Sequence, residues 1–133
     1  MKHLRVYLSG ASGLGKTTLA KLISKELGLP YINTSASNVW DEFGVKSHEH
    51  ALQLSGDYNW AHKYQLAILE NRRKVLGDND NFVTDRSIID NLIYYMDGNK
   101  PYQLQREYNK TCIEMLQHDL ENYNVVFIRL IRP

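Results

Sequence analysis

A lysine and a threonine follow directly on a glycine-rich stretch near the start of the chain. The stretch reads Gly10-Ala11-Ser12-Gly13-Leu14-Gly15-Lys16-Thr17 and fits the pattern G-x-x-x-x-G-K-[ST] without a mismatch. Its glycines allow successive backbone N–H groups to point inward, and the N-terminus of a following helix adds positive potential. We therefore expect a phosphate site in which Lys16 reaches the β- and γ-phosphates and the Thr17 hydroxyl ligates Mg²⁺.

The segments on either side of this loop favour a binding role over a turn that binds nothing. Residues 4–8 form an apolar run typical of a buried strand, and residues 16–27 have the apolar spacing of a helix. A strand, a loop and a helix in this order make the arrangement that binds the phosphates of a nucleoside triphosphate. The residues expected to hold ATP are Gly10, Ser12, Gly13, Leu14, Gly15, Lys16, Thr17 and Thr18.

A second group of polar residues, Asp85-Arg86-Ser87, follows the apolar strand pattern of residues 82–84. Ligands of open α/β sheets bind at the carboxyl ends of the strands, so this group is expected beside the glycine-rich loop. The Asp85 carboxylate can hold water on Mg²⁺, and the Arg86 guanidinium can clamp a phosphoryl group. The alternative is that Asp85 or Ser87 only caps the next helix and that Arg86 is solvated.

The rest of the pattern predicts the elements that position these residues. Predicted strands lie at residues 4–9, 31–34, 82–84 and 125–130, and predicted helices at 16–27, 39–43, 47–54, 58–76, 87–96 and 101–121. The unbroken apolar character of the last strand indicates a central place in a parallel sheet. Alternation of strands and helices indicates a single α/β domain, residues 1–133, with helices on both faces of the sheet.

Composition limits the function classes. The chain has 133 residues, a formal net charge of +1 and a single cysteine, Cys112. Near-neutral charge argues against a nucleic-acid partner, and one cysteine fits a reducing compartment. Neither a membrane span nor a signal peptide is indicated by the sequence, so we expect a cytoplasmic protein that does not bind membranes.

Together, residues 10–17 and Asp85-Arg86-Ser87 make the chain resemble the P-loop nucleotide and nucleoside kinases, with thymidylate and deoxynucleoside kinases as the nearest named groups. The resemblance implies ATP and Mg²⁺ as cofactors and an acceptor contact for Arg86. It also implies that the long helix before the third strand carries Gln65 and Arg72 toward the substrate. The alternative for residues 72–74 is a solvated basic helix end.

Two departures from these kinases are visible. Nucleoside kinases place a carboxylate just after the second strand as a general base, whereas residues 33–38 contain no acid. This favours a nucleoside monophosphate, whose phosphate needs no base, over a nucleoside. The kinases also continue into an arginine-rich lid and a fifth strand, so we expect either a C-terminally truncated fragment, or a partner that supplies the missing segment, or weak activity.

The sequence therefore predicts a three-layer P-loop fold with strand order 2-3-1-4, and transfer of a phosphoryl group from ATP to a small acceptor. Lys16, Asp85 and Arg86 would be catalytic, Thr17 and Asp85 would manage the metal, and Gln65, Arg72 and Arg86 would bind the acceptor. The alternatives are a P-loop ATPase or GTPase, a polynucleotide kinase, and an ATP-binding module without turnover. A metal site at residues 48–50, His-Glu-His, is a weaker alternative, because both imidazoles share a face only on a strand.

An apolar last strand without an outer neighbour leads to a prediction about assembly. Exposed strand edges invite pairing, so we expect either that the chain forms a homodimer or that one of its own helices covers the edge. We also expect it to bind ATP better than it phosphorylates an acceptor. Light scattering and an ADP-release assay test this, and a monomer with brisk, acceptor-dependent turnover would contradict it.

Replacement of Lys16 tests the phosphate site. Lys16→Ala should leave the fold intact, abolish turnover and weaken ATP binding about tenfold or more, because charge-assisted contacts to the phosphates are lost. Titration calorimetry with ATP and Mg²⁺ measures the affinity. Undiminished affinity in the variant would exclude residues 10–17 as the phosphate site.

Overall fold

A three-stranded parallel sheet lies at the centre of the computed structural model, which describes residues 3–10, 13–77, 79–96 and 100–131. Its strands are β1 (Leu4–Ser9), β2 (Phe82–Thr84) and β3 (Asn124–Arg129), in the order β2-β1-β3. Val6 of β1 lies opposite Val83 on one side and Val126 on the other. Because the strands are parallel, their carboxyl ends meet at one edge, where residues 10 and 85 follow.

The predicted strand order 2-3-1-4 is not matched, because residues 31–34 do not form a strand. Tyr31 makes a single parallel bridge with Val83, and the Ile32 N–H donates to the Val83 carbonyl over 2.9 Å. The chain then turns at Asn33, whose side-chain oxygen accepts from the N–H of Ser35 at 2.8 Å. Such a local side-chain hydrogen bond competes with the backbone hydrogen bonds of a sheet. The pairing of this segment therefore ends after one bridge.

The apolar character of the last strand indicated a central place in the sheet, and this is wrong for the residues that the structure describes, whereas the predicted strand order placed it at an edge. Within them β3 pairs with β1 alone, and β1 takes the central place. Val126 and Phe127 remain 42% and 37% exposed. An apolar run shows that a strand can be buried but does not say how many neighbours it has.

The helices agree with the predicted positions to within about one turn. They are α1 (Lys16–Leu27), α2 (Trp40–Phe43), α3 (His48–Leu54), α4 (Tyr58–Gly77), α5 (Ile88–Met96) and α6 (Tyr102–Asn122), with a 3₁₀ turn at Ala36–Val39. Asp57 caps α4 by accepting from the N–H groups of Asn59 and Trp60. Among the described helices, none is both long and apolar enough to cross a bilayer.

Helices cover both faces of the sheet, which confirms the α/β fold. On one face Val6, Leu8 and Val83 pack with Ala20 of α1. On the other face Tyr7 and Phe82 pack with Leu76 of α4. Strand side chains alternate between the two faces, so the odd-numbered residues of β1 meet α4 and the even-numbered ones meet α1.

The long helix α4 is buried on two sides. Tyr64 and Ile68 join Val39 and Val45 in a cluster under α2 and α3, with Trp60 packed against it. Leu69 is completely buried with α5 and α6. Because α4 touches both groups, it connects the sheet to the helices around the carboxyl ends of the strands.

A buried ion pair fastens α6 to the sheet. The Nη1 atom of Arg5 donates to Oδ1 of Asp119 at 2.9 Å, and the Tyr7 hydroxyl donates to Oδ2 of the same carboxylate. Arg5 also donates to the Asn79 carbonyl at 2.9 Å and lies 3.6 Å from the ring centroid of Tyr123. This network joins β1, the end of α4 and the end of α6.

Loss of this carboxylate should be strongly destabilising. Asp119→Ala leaves the buried Arg5 charge without its counter-ion, which typically costs about 3–5 kcal/mol of unfolding free energy. Urea unfolding followed by circular dichroism measures the change. Glu121→Ala, at an exposed acid of the same helix, is the control and should change stability by no more than about 0.5 kcal/mol. Equal effects in the two variants would show that the ion pair does not fasten α6.

Candidate functional site

The glycine-rich loop connects β1 to the first turn of α1 through backbone conformations that favour glycine. Gly10 has a φ of 136° and Gly15, just before α1, a φ of 84°. A Cβ on Gly10 would lie 2.7 Å from the Leu130 carbonyl oxygen, so no other residue fits there without movement. Gly13, Gly15 and Thr18 are exposed and Leu14 is half-buried, while Ser12 lies outside the described residues.

The Lys16 ammonium lies folded back over this loop. Its Nζ atom donates to the Gly10 carbonyl at 2.6 Å, and the residue is only 6% exposed. Burial, together with the nearby Arg86 charge, lowers the pKa of Lys16 below its usual range. The lysine is thus anchored at the mouth of the loop, where an anion would relieve the repulsion from Arg86.

Thr17 and Asp85 meet although 68 residues separate them. The Thr17 hydroxyl donates to Oδ2 of Asp85 at 2.6 Å, and the Tyr31 hydroxyl donates to the same oxygen at 2.8 Å. Burial and the Asp85 hydrogen bond raise the pKa of Tyr31 to about 12, so the phenol keeps its proton at neutral pH. A hydroxyl and a carboxylate side by side are hard oxygen donors, which fits Mg²⁺.

Asp85-Arg86-Ser87 leads from β2 into α5. Ser87 caps this helix, since its hydroxyl accepts from the Asp90 N–H at 3.3 Å. Asp85 does not act as the cap and instead binds Thr17. Arg86 is half-buried, and its positive charge lowers the pKa of both Lys16 and Arg72. The structure therefore brings Lys16, Thr17, Asp85 and Arg86 to one place.

Arg72 is buried beside this group. It is 3% exposed, and burial lowers its pKa to about 10, which leaves it charged at neutral pH. Its Nη1 atom donates to the Ser87 carbonyl at 2.9 Å and to the Asn91 side chain, and its Nε atom donates to the Thr34 hydroxyl at 3.3 Å. Gln65, half-buried two turns earlier on the same side of α4, completes the predicted acceptor set. The acceptor roles of both residues stay predictions.

Two residues at the site were missed by the sequence analysis. Oδ1 of Asp90 accepts from the Gly10 N–H at 3.2 Å, and the Tyr31 hydroxyl binds Asp85. The spacing Ser87-x-x-Asp90 resembles that of a capping box and signals a helix start, but not a contact 80 residues away. In the His-Glu-His segment at residues 48–50, the weaker candidate for a metal site, the Nδ1 atom of His50 accepts a hydrogen bond from the Lys46 N–H.

The charges gathered here suit a polyphosphate. Burial and the nearby charge of Arg86 lower the pKa of both Lys16 and Arg72, and two carboxylates, Asp85 and Asp90, lie close to Lys16. Both carboxylates accept hydrogen bonds from the loop or from α1, which stabilise their charged forms. A site with surplus positive charge and a helix N-terminus attracts phosphate groups and can stabilise charge on a transferring one.

Parts of the chain are similar to known proteins. A cytidylate kinase 2 of Borreliella burgdorferi is 34% identical over 83 residues, which is 60% of this chain and 43% of that protein. Cytidylate kinases of Oleidesulfovibrio alaskensis and Fervidobacterium nodosum are 51% and 47% identical over 35 and 34 residues, each 26% of this chain and 16% of those proteins. The chain therefore matches less than half the length of these relatives.

These relatives support the resemblance to P-loop nucleotide kinases, but not the narrower one to thymidylate or deoxynucleoside kinases. The AAA domain family matches residues 5–129, from the first strand to the end of the last. Since this match spans nearly all of the chain, the protein belongs to the AAA domain family of P-loop NTPases.

Proposed function

We propose that this protein transfers a phosphoryl group from ATP, with Mg²⁺, to a nucleoside monophosphate. The observation that carries the proposal is the 2.6 Å hydrogen bond between Thr17 and Asp85. It joins the last residue of the P-loop, residues 10–17, to the segment that also holds Arg86. Donor phosphates and an acceptor phosphate would thus be bound by adjoining parts of one surface, as in-line transfer requires.

The side chains divide the work by their chemistry. Lys16 and the loop N–H groups bind the β- and γ-phosphates and stabilise charge that develops during transfer. Thr17 and Asp85 would hold Mg²⁺, which neutralises phosphate charge when bound. Arg86 offers a planar fork that can orient the acceptor phosphate against the donor. Each role follows from a group that the structure places within the same cluster.

The acceptor is proposed from two independent arguments. The relatives are named cytidylate kinases, which makes cytidine monophosphate the first acceptor to test. Residues 33–38 offer no carboxylate to activate a hydroxyl, whereas an ionised phosphate is already nucleophilic. A monophosphate therefore suits this site better than a nucleoside does.

Arg72 is proposed to serve the acceptor side mainly by holding it in place. Its guanidinium binds the Ser87 carbonyl and Asn91, so it fixes the turn that presents Arg86. Gln65 lies two turns earlier on α4 and extends the same side of the helix toward solvent. These two residues would shape the acceptor pocket while Arg86 contacts the phosphate.

The test is an ADP-release assay with a panel of nucleosides and nucleoside monophosphates, applied to the natural sequence and to Arg86→Lys. We expect release that depends on a monophosphate, with cytidine monophosphate effective. Arg86→Lys keeps the charge but loses the fork, so turnover should fall about 100-fold. Calorimetric affinity for ATP should stay within about twofold of the unsubstituted chain.

Arg73→Lys is the matched control, because Arg73 is next to Arg72 on α4 but largely exposed. It should leave turnover unchanged. Equal losses in Arg86→Lys and Arg73→Lys would remove Arg86 from the acceptor site. ATP binding without turnover on any acceptor would identify the chain as a nucleotide-binding module, and ADP release without an acceptor would identify an ATPase.

A further inference from the structure

We infer that Asp90 is a positioning residue that fixes the first residue of the P-loop, and through it Lys16. Asp90 lies in the first turn of α5 and is 7% exposed. Its Oδ1 atom accepts from the Gly10 N–H at 3.2 Å, across 80 residues of sequence. The inference rests on the proposed function only in taking residues 10–17 as the phosphate site.

Gly10 is the point at which three elements meet. Its N–H donates to Asp90 of α5, and its carbonyl accepts from Lys16 of α1 at 2.6 Å. Its Cα lies against the Leu130 carbonyl that follows β3, and the Leu130 N–H donates to the Ser9 carbonyl at 2.9 Å. A glycine with a φ of 136° is free to take other conformations, so these contacts decide which one it adopts.

The Asp90 carboxylate is itself held in a fixed orientation. The Ser87 hydroxyl donates to Oδ2 at 3.4 Å and accepts from the Asp90 N–H at 3.3 Å. This reciprocal pair uses one carboxylate oxygen for the helix cap and leaves the other for Gly10. A residue that only capped α5 would have no need to reach the loop, so the Gly10 contact points to a second role.

The first turn of α5 also faces the acceptor side. Asn91, the residue after Asp90, accepts a hydrogen bond from Arg72, and the Ser87 carbonyl accepts another. Neighbouring residues of one helical turn thus contact the P-loop and the proposed acceptor side. Asp90 is therefore placed to keep the P-loop and the proposed acceptor side at a constant separation, which in-line transfer requires.

Two substitutions separate the hydrogen bond from the charge. Asp90→Asn keeps an oxygen that can accept from the Gly10 N–H, whereas Asp90→Ala removes it. We expect Asp90→Ala to weaken ADP binding about tenfold and Asp90→Asn to stay within about threefold of the unsubstituted chain. Titration calorimetry with ADP and Mg²⁺ gives both values. Asp41→Ala, at an exposed acid in the first turn of α2, is the control and should not change the affinity.

A local measurement excludes a purely structural effect. Amide hydrogen exchange followed by NMR should show faster exchange of the Gly10 N–H in Asp90→Ala than in Asp90→Asn, with the β1 amides unchanged. Loss of ADP affinity in both variants to the same extent would assign the effect to charge and overturn the inference, as would unchanged affinity in Asp90→Ala. Binding is the readout, so these results stand even if no acceptor is ever phosphorylated.

Discussion

The close approach of Gly10 to the Leu130 carbonyl is the constraint on which the site depends. A Cβ at position 10 would lie 2.7 Å from that oxygen, so the chain can pass there only as glycine. This close approach sets the point at which β1 ends and the loop begins. From it follow the Lys16 contact to the Gly10 carbonyl and the position of α1, whose first turn offers Thr17 to Asp85. A bulkier residue would displace these contacts together.

The second determinant is the concentration of charge in a poorly solvated place. Lys16 and Arg72 are each less than a tenth exposed, and burial lowers the pKa of both. Gathering cations in this way costs free energy, which hydrogen bonds to carbonyls and the nearby negative charges of Asp85 and Asp90 only partly offset. A bound polyphosphate would supply the missing negative charge, so the energy stored in the arrangement would favour ligand binding.

How much of the fold and of the site could be predicted depended on how far apart in the sequence the contacting residues are. The loop and α1 were predictable because their pattern is local and each residue type has one evident use. Asp85 and Arg86 were predictable in position because the carboxyl ends of parallel strands meet at one edge. The predicted strand at residues 31–34 does not form, because the Asn33 side chain binds the Ser35 N–H. The apolar character of a segment does not show that such a local bond competes with strand pairing. The partners of Asp90 and Tyr31, 80 and 54 residues away, leave no periodic signal.

Among the described residues, two arginines are buried, Arg5 and Arg72, and they differ in their partners. Arg5 has a carboxylate partner in Asp119, so its charge is neutralised within the fold and its effect is structural. The described hydrogen-bond partners of Arg72 are instead a carbonyl, an amide and a hydroxyl, none of which carries a charge. A guanidinium held by neutral groups keeps its orientation and still attracts an anion. That difference supports the proposal that Arg72, and not Arg5, serves the acceptor side.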